Sequence, residues 1–118
     1  MNLNPEETIE HLQALGRELA EANAEYVRQH TELAKSEAEY RTAKAKKILL
    51  LKAEKYPATL ITDLAKGDET VASLMLKRDL AKGLVDAQRY NIRSIQDRIM
   101  IGQSVLKWLG IEYNSSGQ

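Results

Sequence analysis

Between Val71 and Leu109 one pattern constrains the fold more than any other. Reading in steps of three and four gives Val71, Leu74, Arg78, Ala81, Val85, Gln88, Ile92, Ile95, Ile99, Gly102, Leu106 and Leu109. Only Arg78 and Gln88 in this row are polar. A mean spacing near 3.5, held for more than five heptads, is the mark of a long helix packed along a seam. Met75, Leu80, Leu84, Met100, Ile101, Val105 and Trp108 flank the row. They widen the apolar face, so the helix is expected to touch more than one neighbour. The helix-packing or oligomer seam is therefore assigned to Val71, Leu74, Val85, Ile92, Ile95, Ile99, Leu106, Trp108 and Leu109.

The rest of the chain supplies a partner for that helix. Asn4-Pro5-Glu6-Glu7 is a helix start: Asn caps, Pro suits the first helical position, and Glu7 stands where a capping box places its carboxylate. No proline follows until Pro57, and Gly16 is the only glycine on the way. A helix over residues 5–55 is about 75 Å long at 1.5 Å per residue. Its stripe is thinner than that of the last helix. Leu12, Leu19, Tyr26, Leu33, Tyr40 and Lys47 fall seven apart, and their companions Leu15, Ala22, Gln29, Ser36, Ala43 and Leu50 are mostly small. Tyr26 and Tyr40 are expected to pack with their hydroxyls toward water, base stacking being the alternative use of such rings.

Pro57 disfavours helical backbone at Tyr56, which ends the first helix there. Leu60, Ile61 and Leu64 suit a short helix over 58–66, packed across the bend. Gly67 is expected to stop it, Asp68 to cap the next, and Gly110 to end a helix over 69–109. The tail 111–118 is expected to fray. The fold class is thus all-α: a long, coiled-coil-like antiparallel helical hairpin in one domain, with a short helix at the bend. A two-helix hairpin has little interior for its surface. A homo-oligomer is expected, most simply a dimeric four-helix bundle, with another helical protein as a further candidate partner.

Composition excludes much of the usual chemistry. There is no Cys, so thiolate catalysis, disulfides and Cys-based zinc sites are absent. His11 and His30 lie nineteen residues apart on one helix, and neither completes a Glu-x-x-His pair. No P-loop, nucleophile elbow or GxGxxG occurs. No metal, cofactor or enzymatic activity is expected. The longest apolar run is Ile48–Leu51, far short of the roughly 20 residues a membrane span needs. The amino-terminal stretch lacks the basic and apolar regions of a signal peptide, so the expected compartment is the cytoplasm.

Charge is sorted along the chain. Lys plus Arg and Asp plus Glu are 17 each. Residues 1–40 hold nine Glu against Arg17, Arg28 and Lys35. Residues 41–56 hold Arg41, Lys44, Lys46, Lys47, Lys52 and Lys55 against Glu54. A hairpin brings Lys77, Arg78 and Lys82 beside that stretch, making the bend a basic cluster and a candidate phosphate or nucleic-acid contact. Helix dipoles and register pairing explain the same sorting without a ligand.

In gestalt the chain resembles small helical accessory proteins of bacteriophages, and loosely the UvsY-type recombination mediators. The likeness rests on the Ala/Tyr/Glu-rich stretch Ala22–Tyr40, the basic AKAKKILLLKAEKY run, the short linker and the final helix ending KWLGIEY. It covers architecture over roughly residues 20–110. Such mediators are oligomers that bind single-stranded DNA and help load a recombinase. The resemblance implies that Arg41, Lys44, Lys46, Lys47, Lys52 and Lys55 would line the DNA path.

Overall fold

The computed structural model describes residues 4–110, and these are helical almost throughout. Three helices follow in order: α1 (Pro5–Ala53), α2 (Ala58–Gly67) and α3 (Glu69–Trp108). The expectation for the tail, 111–118, lies outside the described residues. No helix among the described residues is long and apolar enough to cross a membrane.

The starts of α1 and α3 follow from short polar side chains, whereas α2 begins after Pro57 with no side-chain cap. Asn4 Oδ1 accepts from the Glu6 N–H at 2.9 Å and the Glu7 N–H at 3.4 Å. Asp68 caps α3 in the same way, its Oδ2 accepting from the Val71 N–H at 3.2 Å.

The helix ends depart from expectation in two places. α1 stops at Ala53, before the Tyr56 boundary set by Pro57. The Tyr56 N–H reaches back to Leu51 O, and the Lys55 N–H to Lys52 O. That pair of bonds is a Schellman closure, and it requires left-handed backbone at Lys55 (φ 65°). Gly67, by contrast, ends α2 without left-handed backbone. It is the last residue of α2, and the chain turns at Asp68, which is extended (φ −61°, ψ 135°). At the end of α3 the glycine does act as expected. Gly110 has φ 81°, and its N–H bonds Lys107 O.

The chain forms two compact units. The terminal unit is drawn from the segments Met1–Val27 and Ala87–Gln118, and the central unit is Arg28–Asp86. In the terminal unit Leu15, Ala22 and Ile95 form the core, with Leu19, Ile92 and Ile99 packed around it. Leu12 faces Gly102 so closely that a β-carbon there would lie 2.6 Å from Leu12 Cδ2. Gln88 donates to Ala22 O at 2.9 Å, and Arg98 meets Glu18 at 3.4 Å.

The central unit is built differently. Leu51 packs with Ile61 and Ala65 of α2, and Ile48 joins them. Leu60 and Leu64, expected to share that packing, are exposed. Leu50, the expected companion on α1, is also exposed, while Leu51 is buried. A strict seven-residue repeat drifts about 20° per heptad on a straight helix. Near its end α1 abandons the repeat and turns Leu51 toward α2. Farther along this unit the buried positions are Ser36, Tyr40, Val71, Ala81 and Val85.

Candidate interaction surfaces

Every residue of the three-four row on α3 is buried or half-buried, from Val71 to Leu109. Val71, Ala81, Val85, Ile95, Gly102 and Leu106 are buried, and Leu74, Arg78, Gln88, Ile92, Ile99 and Leu109 are half-buried. Trp108, assigned to the helix-packing or oligomer seam, is 77% exposed and so is not on the face that packs within this chain. It lies two residues from Leu106, about 200° around the helix, so one face cannot hold both.

The flanking residues divide. Met75 and Val105 are half-buried. Leu80, Leu84, Met100 and Ile101 remain exposed. Leu76, which no seam or flank included, is 60% exposed and extends Leu80 and Leu84 at i, i+4 and i+8. Its signal in the sequence was the spacing of the three leucines, hidden because Leu76 falls outside the buried row.

These exposed residues line two apolar concavities, one in each unit. In the terminal unit Met100, Ile101, Val105 and Trp108, with Asp97 and Ser104, line a shallow depression open to solvent. In the central unit Leu76, Leu80, Ala81 and Leu84 line a groove of about 320 Å³, edged by Glu32, Ser36, Ser73 and Lys77. The Ser36 Oγ is buried with no hydrogen-bond partner, as is the Gln29 Oε1. Each leaves a desolvated polar atom, which costs stability.

The nine candidate basic residues all fall in the central unit, and five of them are already engaged. Arg41 pairs with Glu37 at 3.1 Å, Lys77 with Glu39 at 3.3 Å, and Lys47 with Asp68 at 3.5 Å. Arg78 pairs with Asp79 at 2.8 Å while its guanidinium lies 4.6 Å from the Tyr40 ring centre. Lys44 approaches the same ring at 5.8 Å. Tyr40 is buried and its ring faces cations, so it is not presented for base stacking. Tyr26 is half-buried, and its hydroxyl accepts from Arg89 at 3.3 Å. Lys46, Lys52, Lys55 and Lys82 are exposed and form no ion pair among the described residues.

Two ionisable groups are shifted, each by local contacts. The Val71 N–H, opposed by burial and assisted by Lys47, lowers the Asp68 carboxyl from its ordinary value. Asp79 raises Arg78, which keeps the guanidinium charged. Among the described residues no group of three His, Cys, Asp or Glu side chains is placed to hold a metal ion.

Charge also separates the units. The terminal segments carry five basic and eight acidic residues, a balance of −3. The central unit carries twelve basic and nine acidic, a balance of +3. No family model, curated protein or solved structure matches this chain.

Proposed function

We propose that this protein is a non-enzymatic, self-associating interaction module built as an antiparallel helical hairpin. Partner numbers in both units support the antiparallel sense. Leu12 meets Gly102, Glu18 meets Arg98 and Ala22 meets Gln88, while Glu39 meets Lys77 and Lys47 meets Asp68. As one number rises the other falls. The observation that carries self-association is the exposed apolar surface of α3. Its inner face is fully used, yet Leu76, Leu80, Leu84, Met100, Ile101 and Trp108 stay open to water. Contiguous exposed apolar patches on a small helical chain mark contact surfaces. Sedimentation equilibrium at micromolar concentration tests the reading. A dimer or higher oligomer is expected, and a strictly monomeric chain overturns it.

A second reading is favoured by the four lysines without carboxylate partners. Lys46, Lys52, Lys55 and Lys82 give the central unit free positive charge for a phosphate backbone, in keeping with the likeness to phage recombination mediators. Phosphate contacts predict affinity for a single-stranded oligonucleotide that falls steeply with salt. Changing Lys46, Lys52 and Lys82 to Glu should abolish that binding while assembly persists. No binding at low salt removes this reading.

A further inference from the structure

The outer face of α3 in the terminal unit is complementary to itself. Its residues stand two places after inward ones: Asp97 after Ile95, Ser104 after Gly102 and Trp108 after Leu106. Two residues are about 200° of helical turn, so this face looks away from the packing with α1. Its residues match in pairs about the midpoint of Met100 and Ile101. Those two match each other, Asp97 matches Ser104, and Arg93 matches Trp108, the members of each pair being equally far from the midpoint.

We propose that a second copy of this chain covers this face, antiparallel, on a two-fold axis at Met100 and Ile101. The proposal rests on the self-association reading and adds which face is covered and in which direction. It involves only residues 93–108 of α3, all within the terminal unit.

Three observations carry it. The first is the chemistry of the matched pairs. The Arg93 guanidinium already lies 5.9 Å from the Tyr90 ring centre. The partner's Trp108 brings a second ring to that cation. Asp97 is exposed and forms no ion pair among the described residues, and the partner's Ser104 offers it a hydroxyl donor. The second is direction. A parallel pair would set Asp97 beside Asp97 and Arg93 beside Arg93, and such like-charge contacts select against it. The antiparallel pair separates the two Asp97 positions by about 10 Å along the helix. The third is apolar area. Trp108 is 77% exposed, Met100 61% and Ile101 53%. Two Trp side chains bring about 300–500 Å², and Met100 and Ile101 of both copies add to it. Together they supply a substantial part of the roughly 1,200 Å² that a stable complex buries.

The single Trp reports on the contact directly. Wild-type emission should shift to the blue as sedimentation equilibrium shows the dimer forming. Trp108→Ala should weaken the dimer about tenfold or more. Leu80→Ala, in the central groove, should leave it unchanged. Both side chains are exposed, so circular dichroism should show unchanged helicity in each variant. Direction is read by disulfide cross-linking, since the chain has no cysteine of its own. Asp97→Cys and Ser104→Cys variants carrying tags of different mass are mixed and oxidised with oxidised glutathione. The mixed cross-link should dominate, because in the antiparallel pair neither site lies within disulfide reach of its own copy. Ser104→Cys cross-linking to itself overturns the direction, as does a dimer that gives no cross-link. A dimer weakened by Leu80→Ala and not by Trp108→Ala overturns the proposal and leaves self-association standing. A monomeric chain overturns both.

Discussion

The two units are cut from the same pair of long helices and are held together by different means. The terminal unit packs large aliphatic side chains, Leu12, Leu15, Ile95 and Leu106, all nearly fully buried. Gly102 lets Leu12 come close. The central unit buries Ser36, Ala65 and Ala81 alongside Tyr40, whose ring lies under a guanidinium. Both units bury large aliphatic side chains, Leu51, Ile61, Val71 and Val85 in the central one, and the central unit adds a buried serine and a tyrosine ring faced by cations. A helix pair with an unbroken backbone can thus vary its packing chemistry along its length, and substitutions of one kind should act differently in each unit.

The largest contrast is at the buried layer. Ile95→Asp places an unpaired charge where the native residue is 0% exposed, and should cost about 4 kcal/mol or more, enough to unfold the chain. Ser36→Ala removes a hydroxyl that has no partner and should be neutral or stabilising by less than about 1 kcal/mol. Urea titration followed at 222 nm checks both. A mild Ile95→Asp would break the contrast between the units.

Glycine substitutions sharpen the contrast by changing sign. A β-carbon at Gly102 meets Leu12, itself buried, so Gly102→Ala should lose about 1–2 kcal/mol despite its better helix propensity. Gly83, in the central unit, has nothing within 4 Å, and Gly83→Ala should gain about 0.5–1 kcal/mol. Equal effects at the two sites would show that the close approach at Gly102 does not persist in solution.

The two helix ends make a third comparison. Gly110 adopts its left-handed backbone without steric cost, whereas Lys55 adopts one that L-residues disfavour. Lys55→Gly should therefore raise stability by about 1 kcal/mol, visible as a higher Tm. The smallest effect is electrostatic. Asp68 has a folded-state pKa below its unfolded value, so its contribution is full above the ordinary carboxyl range and is lost as pH falls through the folded value. Asp68→Asn keeps a capping side chain and should remove that acid-dependent part of the pH–stability profile.

The sequence discloses the repeating parts of this fold well. The row on α3 is visible because apolar spacing is a direct record of burial. Asn4, Asp68 and Gly110 are visible because capping and left-handed closure favour particular residue types. Lys55 could not be found this way, since lysine is no signal for left-handed backbone. Gly67 misled for the opposite reason: a glycine permits that conformation without requiring it. Leu50 and Leu51 were indistinguishable by type, and the arrival of α2 decided between them. Among the candidate contacts, the charges were legible and their pairing was not. Which lysine meets Glu39, or which cation covers Tyr40, depends on register between helices far apart in sequence.

That separation in sequence also orders the folding of the chain. The contact between Lys47 and Asp68 closes a loop of about twenty residues, whereas that between Leu12 and Gly102 closes one of about ninety. Loop-closure entropy makes the short loop the cheaper one to form first. Pairing should start around α2 and proceed toward the termini, so the core at Leu12 and Ile95 should form last. Changes at Leu12 and Ile95 should then speed unfolding and barely slow folding. The terminal core would then set the rate at which the chain unfolds rather than the rate at which it folds.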